Sequence, residues 1–257
     1  MQIGVVGCNG RVGKLVIEEL ISDNWDEHGL KLAGGLSRDS TNKDTNFFIT
    51  DDEDELFEKS DVIIDFTLPE GTRNHVELAV KHKKTLIIGT TGLTQEDKTA
   101  IKTAAQETVI ICSSNMSVGV NLLLSLVEQA AARLGTDWDI EIFESHHKYK
   151  VDAPSGTAIA IGKAAATGRG NSLTSLEDYN RHGHIGAREK GKIGFSVARG
   201  GDVVGEHTTF FYGEGERLEL THIATNRSLF AKGALRAAIW SEGKEAGLYS
   251  MRDVLDL

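Results

Sequence analysis

Proline is nearly absent: two occur in 257 residues, where average usage would give about 13. With 26% charged and 40% apolar residues as well, a disordered or low-complexity chain is excluded. Cysteine is equally scarce. Cys8 and Cys112 cannot build a disulfide framework, and neither has His or Cys neighbours at zinc spacing, so the expectation is no metal and a reducing, cytoplasmic compartment. Long apolar runs are missing too: the longest, 118–127, is interrupted by Asn121 and Ser125 and is too short to span a bilayer. Met1-Gln2 leads directly into Ile3-Gly4-Val5-Val6, so no secretory leader is expected ahead of the fold. Cations are outnumbered, 28 Lys+Arg against 38 Asp+Glu, for a net charge of −10. That balance argues against nucleic acid or an anionic membrane as partner, while leaving room for a local basic pocket.

What is present is enough chain for one large or two small domains. Over the first 112 residues, short apolar runs at 3–6, 30–36, 62–66, 85–88 and 109–111 alternate with helical patterns at 14–21, 72–83 and 95–106. Continuously apolar strands separated by helix-length segments predict a parallel sheet covered on both faces, the doubly wound α/β pattern. After Asn115 the pattern changes. A long helix is predicted over 118–134, an alternating strand over 138–146, a helix from about Ser155, then three strands in succession at 192–198, 203–212 and 217–224. Successive strands without helices imply antiparallel or mixed pairing, so the second domain is expected to be α+β on a mixed sheet. A last helix is predicted over 228–245, and the tail 251–257 could pack on either domain. The polar stretch 167–188 reads as one long loop.

The first strand ends in Gly7-Cys8-Asn9-Gly10-Arg11-Val12-Gly13, a strand to glycine turn to helix unit. Glycines let the backbone approach a pyrophosphate, and N–H groups at the helix start receive its charge. The alternative is a ligand-free turn that merely closes strand onto helix. Cys8 stands beside a helix N-terminus, a position that can lower a thiol pKa, although packing is its favoured role. Dinucleotide proteins usually end the second strand with a carboxylate for the ribose hydroxyls. Here Ala33-Gly34-Gly35-Leu36 is followed by Ser37-Arg38, with no carboxylate before Asp39. An arginine without that carboxylate suits a ribose 2′-phosphate, hence NADPH over NADH; Arg38 as a solvated loop residue is the equal alternative.

The most unusual segment is Glu144-Ser145-His146-His147-Lys148-Tyr149-Lys150-Val151-Asp152-Ala153-Pro154-Ser155-Gly156-Thr157-Ala158. Strand periodicity sends His146 and His147 to opposite faces, which makes them poor joint ligands of one metal. Lys148 and Lys150 add positive charge, and Pro154 interrupts the chain just before Ser155-Gly156-Thr157 can open a helix. Cations beside a helix N-terminus make a site for a carboxylate or phosphate. A histidine pair in a strand is by itself more often structural than catalytic, but this one has telling company.

Residues 144–158 closely resemble the signature E-x-H-H-x-x-K-x-D-A-P-S-G-T-A of the dihydrodipicolinate reductase family, the pyridine-nucleotide enzymes of the diaminopimelate route to lysine. Residues 7–13, 66–72, 89–92, 115–121, 201–207 and 251–257 also resemble that family's blocks, in family order. The weakly matching parts are roughly 22–60 and 165–190, and Ser37-Arg38 departs from members that carry Glu before Arg. The resemblance implies an N-terminal Rossmann-like domain of residues 1–116 and 227–257, and a substrate-binding and oligomerisation domain of 117–226. It implies NAD(P)H-dependent reduction of 4-hydroxy-tetrahydrodipicolinate, a dicarboxylate, by a homotetramer. Cofactor would be held at Gly7, Gly10, Arg11, Val12 and Gly13, with Cys8 and Asn9 in the same turn, and at Arg38, Gly89, Thr90, Thr91, Ser113, Ser114, Asn115 and Met116. Substrate would fall to His147, Lys150, Gly156 and Thr157, with Ser155 opening the helix. His146 would be the acid/base residue and Lys150 the proton donor. Two rivals are another Rossmann oxidoreductase, such as an amino-acid dehydrogenase or sugar-type reductase, and a noncatalytic NADPH-sensing protein. The first leaves 144–158 unexplained, and the second needs no acid/base pair.

Overall fold

In the computed structural model, residues 1–22, 24–38 and 46–257 are described. Contacts divide the chain into two compact units, Met1–Val118 with Arg227–Asp256, and Gly119–Asn226 with Leu257. The first unit begins β1 (Gln2–Val6), α1 (Arg11–Ile21), β2 (Lys31–Leu36), β3 (Ile49–Thr50), α2 (Glu53–Lys59) and β4 (Val62–Asp65). It continues α3 (Pro69–His82), β5 (Thr85–Ile88), α4 (Gln95–Ala104) and β6 (Val109–Cys112). The second unit holds α5 (Val118–Leu134, its first residue grouped with the first unit), β7 (Asp139–His146), α6 (Gly156–Gly168), α7 (Leu173–Leu176) and β8 (Glu177–Asp178). Strands β9 (Ile193–Arg199), β10 (Gly205–Gly213) and β11 (Glu216–Ala224) complete it. The chain then returns to the first unit with α8 (Ser228–Trp240), β12 (Gly247–Tyr249) and α9 (Met251–Val254).

Among the described residues, seven strands form one sheet in the order β12-β6-β5-β4-β1-β2-β3, and every pairing in it is parallel. The expected doubly wound sheet is there, for the expected reason. Ile3, Val5, Ile63, Ile64, Ile87 and Ile110 are fully buried, because helices cover both faces and favour apolar residues at successive strand positions. On one face Val16, Ile17 and Leu20 of α1 pack with Ala231, Ala234 and Leu235 of α8; on the other, Leu56 and Phe57 of α2 join Val76, Ala79 and Ile101. Helix ends follow local chemistry. Pro69 opens α3, where a missing N–H costs nothing, and Thr94 with Asp97 makes a reciprocal capping box on α4.

The second sheet runs β11-β10-β7-β9-β8, with β7 parallel to β9 and antiparallel to β10. It is the expected mixed sheet. Its inner face is closed by α5 and α6 around Leu123, Val127, Ile140, Ile142, Ile161 and Phe211.

Several sequence expectations need correction. The last helix stops at Trp240 rather than 245, because Gly243 takes a left-handed φ of +71° that ends any helical continuation. Residues 247–249, which carry no strand pattern, add an edge strand beside β6, and Met251 of the tail is fully buried in the first unit's core. The stretch 167–188 is not one loop: α6 runs through Gly168, and α7 and β8 follow. The short α2 and β3 went unread. Asp39, the first carboxylate after β2, lies outside the described residues.

Candidate active site

In the first unit, the turn after β1 has the geometry of a phosphate cradle. Gly7 adopts φ +69°, which a Cβ would strain. A Cβ on Gly13 would stand 2.2 Å from the Gly7 carbonyl, so the turn packs directly on α1 only because that position is glycine. Helix α1 has no side-chain cap at Gly10 and no acidic residue in its first turn, so the N–H groups of Arg11, Val12 and Gly13 are left to an external anion. These features fit a dinucleotide. Asn9 donates to the Ser37 hydroxyl at 2.7 Å, tying the turn to the end of β2, where Arg38 is exposed.

Cys8 is different. It is buried, its N–H donates to the Leu36 carbonyl at 3.2 Å, and its sulfur packs beneath Gly35. Burial raises the thiol pKa and outweighs the backbone N–H bonds and the Lys14 charge that lower it, in keeping with the packing role favoured from sequence.

Along the same edge of the sheet, Thr90, Thr91 and Ser114 line a cavity of about 540 Å³ together with Lys98, Cys112 and Tyr249. Thr90 is turned inward and Thr91 outward. Ser113 donates its hydroxyl to the Asn115 carbonyl at 2.9 Å, and Asn115 accepts from Ser117 N–H, so this stretch is internally braced. The Met116 side chain is buried in the core, leaving only its backbone for any ligand.

The second unit gathers the charged segment. Alternation along β7 puts Glu144 and His146 on its inner face, with His147 past the strand end. Glu144 is 1% exposed, and its Oε2 receives Nδ1–H of His146 at 2.6 Å. Arg199, next to His146 on the neighbouring strand, grips both Glu144 oxygens, at 2.7 and 2.8 Å. Ser155 N–H adds a bond to Oε1 at 2.9 Å. Burial raises the Glu144 pKa, but the Arg199, His146 and Ser155 bonds outweigh it and hold the carboxyl below its ordinary value. The carboxylate therefore keeps the His146 proton on Nδ1 and leaves the Nε2 lone pair for chemistry. A Cβ on Gly205 would lie 3.0 Å from that Nε2, so glycine there keeps the atom uncovered.

Burial, assisted by the Lys150 and Arg199 charges, lowers the His146 pKa below 6.5 despite the Glu144 bond. By NMR, the His146 titration midpoint should fall below 6.5, and Glu144→Gln should lower it further by removing the one anion that opposes the two cations. A midpoint at or above 6.5, or a rise in the variant, contradicts this geometry.

Lys150 pairs with Asp152 at 2.8 Å in the loop between β7 and α6. Ser155 is buried. Its hydroxyl accepts Ala158 N–H at 3.1 Å, capping α6, and lies 3.0 Å from His207 Nε2, so it shapes the helix opening rather than standing out to grip a ligand. Gly156 and Thr157 follow in the same first turn, and a Cβ at Gly156 would meet nothing within 4 Å. The His207 ring sits edge-on to His146 at 5.1 Å between centroids, and burial with the His146 charge pushes its pKa down to about 4.

Glu144, Arg199 and His207 were not singled out from sequence. Glu144 could have been, since it lies two residues before His146 on one strand. Arg199 is 55 residues from Glu144, and only the β7–β9 register brings it near. Among the described residues, no group of three or more His, Cys, Asp or Glu is arranged to hold a metal ion.

A parallel sheet with a glycine turn after its first strand and an uncapped helix behind it defines the doubly wound, Rossmann-like class of dinucleotide-binding proteins. The comparisons narrow the class. This chain belongs to the dihydrodipicolinate reductase family, whose N-terminal and C-terminal profiles match residues 1–116 and 119–255. It is 47% identical to the 4-hydroxy-tetrahydrodipicolinate reductase of Zymomonas mobilis, covering 100% of this chain and 98% of that protein. It is 45% identical to the Burkholderia multivorans protein of the same name, with 100% of both covered. Its fold matches a solved dipicolinate-bound dihydrodipicolinate reductase from Paenisporosarcina sp. TG-14 with a TM-score of 0.78 at 24% identity, covering 97% of each chain.

Proposed function

We propose that this chain reduces 4-hydroxy-tetrahydrodipicolinate to tetrahydrodipicolinate with NADPH, in the diaminopimelate route of lysine biosynthesis. The observation that carries the reading is the His146 tautomer fixed by Glu144 and Arg199, beside Lys150 and the amino end of α6. That is acid/base equipment next to an anion site, in a chain whose other unit carries a dinucleotide cradle.

A reduced nicotinamide dinucleotide held by its pyrophosphate at the turn after β1 would supply a hydride. Arg11, Val12 and Gly13 would hold the pyrophosphate on their N–H groups, and Arg38 would meet the ribose 2′-phosphate. On the substrate side, Gly156 and Thr157 N–H groups at the start of α6 grip one carboxylate and, with His147, orient the ring. The hydroxylated ring first loses its hydroxyl as water, and the conjugated ring so formed would accept the hydride; as that ring becomes electron-rich, Lys150 Nζ delivers the proton it needs, and neutral His146 exchanges protons through Nε2. The two cysteines stand unbridged, which supports a cytoplasmic setting that cell fractionation would test.

The outer face of the second sheet presents Phe143, Phe210, Tyr212 and Ile223, of which Phe143 is 37% and Ile223 58% exposed. Exposed aromatic and aliphatic side chains interspersed with Glu141, Glu206 and Glu219 on this face support homotetramer formation through further copies of the chain, and the mass in solution tests it.

For the cofactor, Arg38→Ala should remove a charge-assisted contact of about 1.5 to 3 kcal/mol, weakening NADPH at least tenfold and barely touching NADH. Equal losses in calorimetric titrations with both cofactors would refute the 2′-phosphate role.

The substrate site is tested with inhibitors. Pyridine-2,6-dicarboxylate should compete with substrate one to two decades better than pyridine-2-carboxylate, because one charge-assisted grip is worth about 1.5 to 3 kcal/mol. The solved relative that holds dipicolinate supports that choice of probe. A Cβ at Gly156 meets nothing within 4 Å in the protein itself, so Gly156→Val should fold and erase the difference by blocking the ligand's approach. Equal inhibition by both acids in the unmodified protein would remove the dicarboxylate pocket.

A further inference from the structure

Strand order in the first sheet runs β2, β1, β4, β5. A dinucleotide whose adenosine lies at the end of β2 and whose pyrophosphate lies after β1 extends its nicotinamide toward the loops after β4 and β5. Those loops, 66–68 and 89–94, are joined by a buried polar network that the mechanism above does not use. Asp65 ends β4 with no exposed surface. Its Oδ1 accepts Thr67 N–H at 2.7 Å and the Thr67 hydroxyl at 2.6 Å, and its Oδ2 takes Nδ1–H of His75, on α3, at 2.9 Å. From the other loop, the buried Thr90 hydroxyl lies 3.4 Å from Asp65 Oδ1. Thr90 in turn receives the Thr72 hydroxyl, also from α3, at 2.9 Å. Each hydroxyl thus has a direction: Thr72 donates to Thr90, and Thr90 donates to Asp65.

A carboxylate in such a place is costly. Burial raises its pKa, and the His75 bond and charge with the Thr67 donors more than offset this, so Asp65 stays ionised. Apolar residues of similar volume would hold a sheet end to a helix at least as firmly. What they would not do is fix the direction and spacing of two loops through four oriented hydrogen bonds.

We propose that Asp65 and His75 are a positioning pair for the cofactor, fixing through Thr67, Thr72 and Thr90 the spacing of the two loops that receive its nicotinamide end. The proposal rests on the NADPH-dependent reduction argued above. Its test is Thr72→Val, which removes only the hydroxyl that orients Thr90 at nearly constant volume, compared with Thr72→Ser, which restores it. With NADPH deuterated at the transferred position, Thr72→Val should lower kcat roughly tenfold or more and raise the primary isotope effect, as hydride transfer from a misplaced nicotinamide becomes limiting. NADPH affinity should stay within about threefold and the melting temperature near that of the parent, while Thr72→Ser should return both kinetic quantities. If Thr72→Val folds poorly, His75→Gln is read in the same way. An unchanged kcat and isotope effect, or a loss seen only in melting temperature, overturns the positioning role. Failure of the parent protein itself to consume NADPH with the cyclic imine would instead overturn the functional reading.

Discussion

Lys150→Ala and His146→Ala should each lower kcat by about two to four orders of magnitude while NADPH affinity stays nearly intact. Both side chains belong to the second unit, whereas the dinucleotide cradle is formed entirely within the first. Lys150→Ala should also leave the fold alone. Its partner Asp152 is 53% exposed, and such pairs contribute roughly 1 kcal/mol or less. His147→Ala should instead raise KM more than it lowers kcat, because the role proposed for that residue is binding and not proton transfer. Turnover near that of the parent in the His146 and Lys150 variants would return the pair to a structural role.

Arg199→Met should have the largest effect on stability. The guanidinium is 19% exposed and holds both oxygens of a carboxylate that is 1% exposed; it also donates to the Asp152 carbonyl at 2.7 Å. Removing one partner of a buried pair leaves the other charge uncompensated, at a cost of about 3 to 5 kcal/mol. For a chain of this size that is a fall of roughly 6 to 20 °C in melting temperature. Activity should fall with it even at low temperature, since Glu144 then loses the cation that keeps it ionised and with it the hold on the His146 tautomer. A variant that melts with the parent would show that the pair does not brace this site.

The first sheet was legible because strands buried on both faces are apolar without a break, and helices between them leave few other arrangements. Elements too short for a period to register, such as β3, α7 and β12, were not. The predicted helix 228–245 runs past Gly243, whose left-handed φ marks the stop that composition alone does not show. The site divides along the same line. His146 and Lys150 fall in one contiguous segment, and the anion site follows from helix-opening chemistry. Arg199, His207 and the Asp65 network are made by register and strand order, where residues distant in sequence meet across neighbouring strands and loops. Cys8 bears out the packing role favoured from sequence. The turn that makes Cys8 look activated also buries it, and burial prevails.

The central claim is a hydride transferred from NADPH to a cyclic dicarboxylate imine, with the proton supplied by Lys150. It is tested most directly by adding the freshly generated product of dihydrodipicolinate synthase to the protein and NADPH, and following NADPH absorbance alongside formation of tetrahydrodipicolinate. The account predicts stoichiometric loss of NADPH with that substrate and its virtual absence in Lys150→Ala. Turnover only with an amino acid or a sugar would make the protein a different oxidoreductase, and NADPH binding without any turnover would make it a sensor; either result contradicts the account.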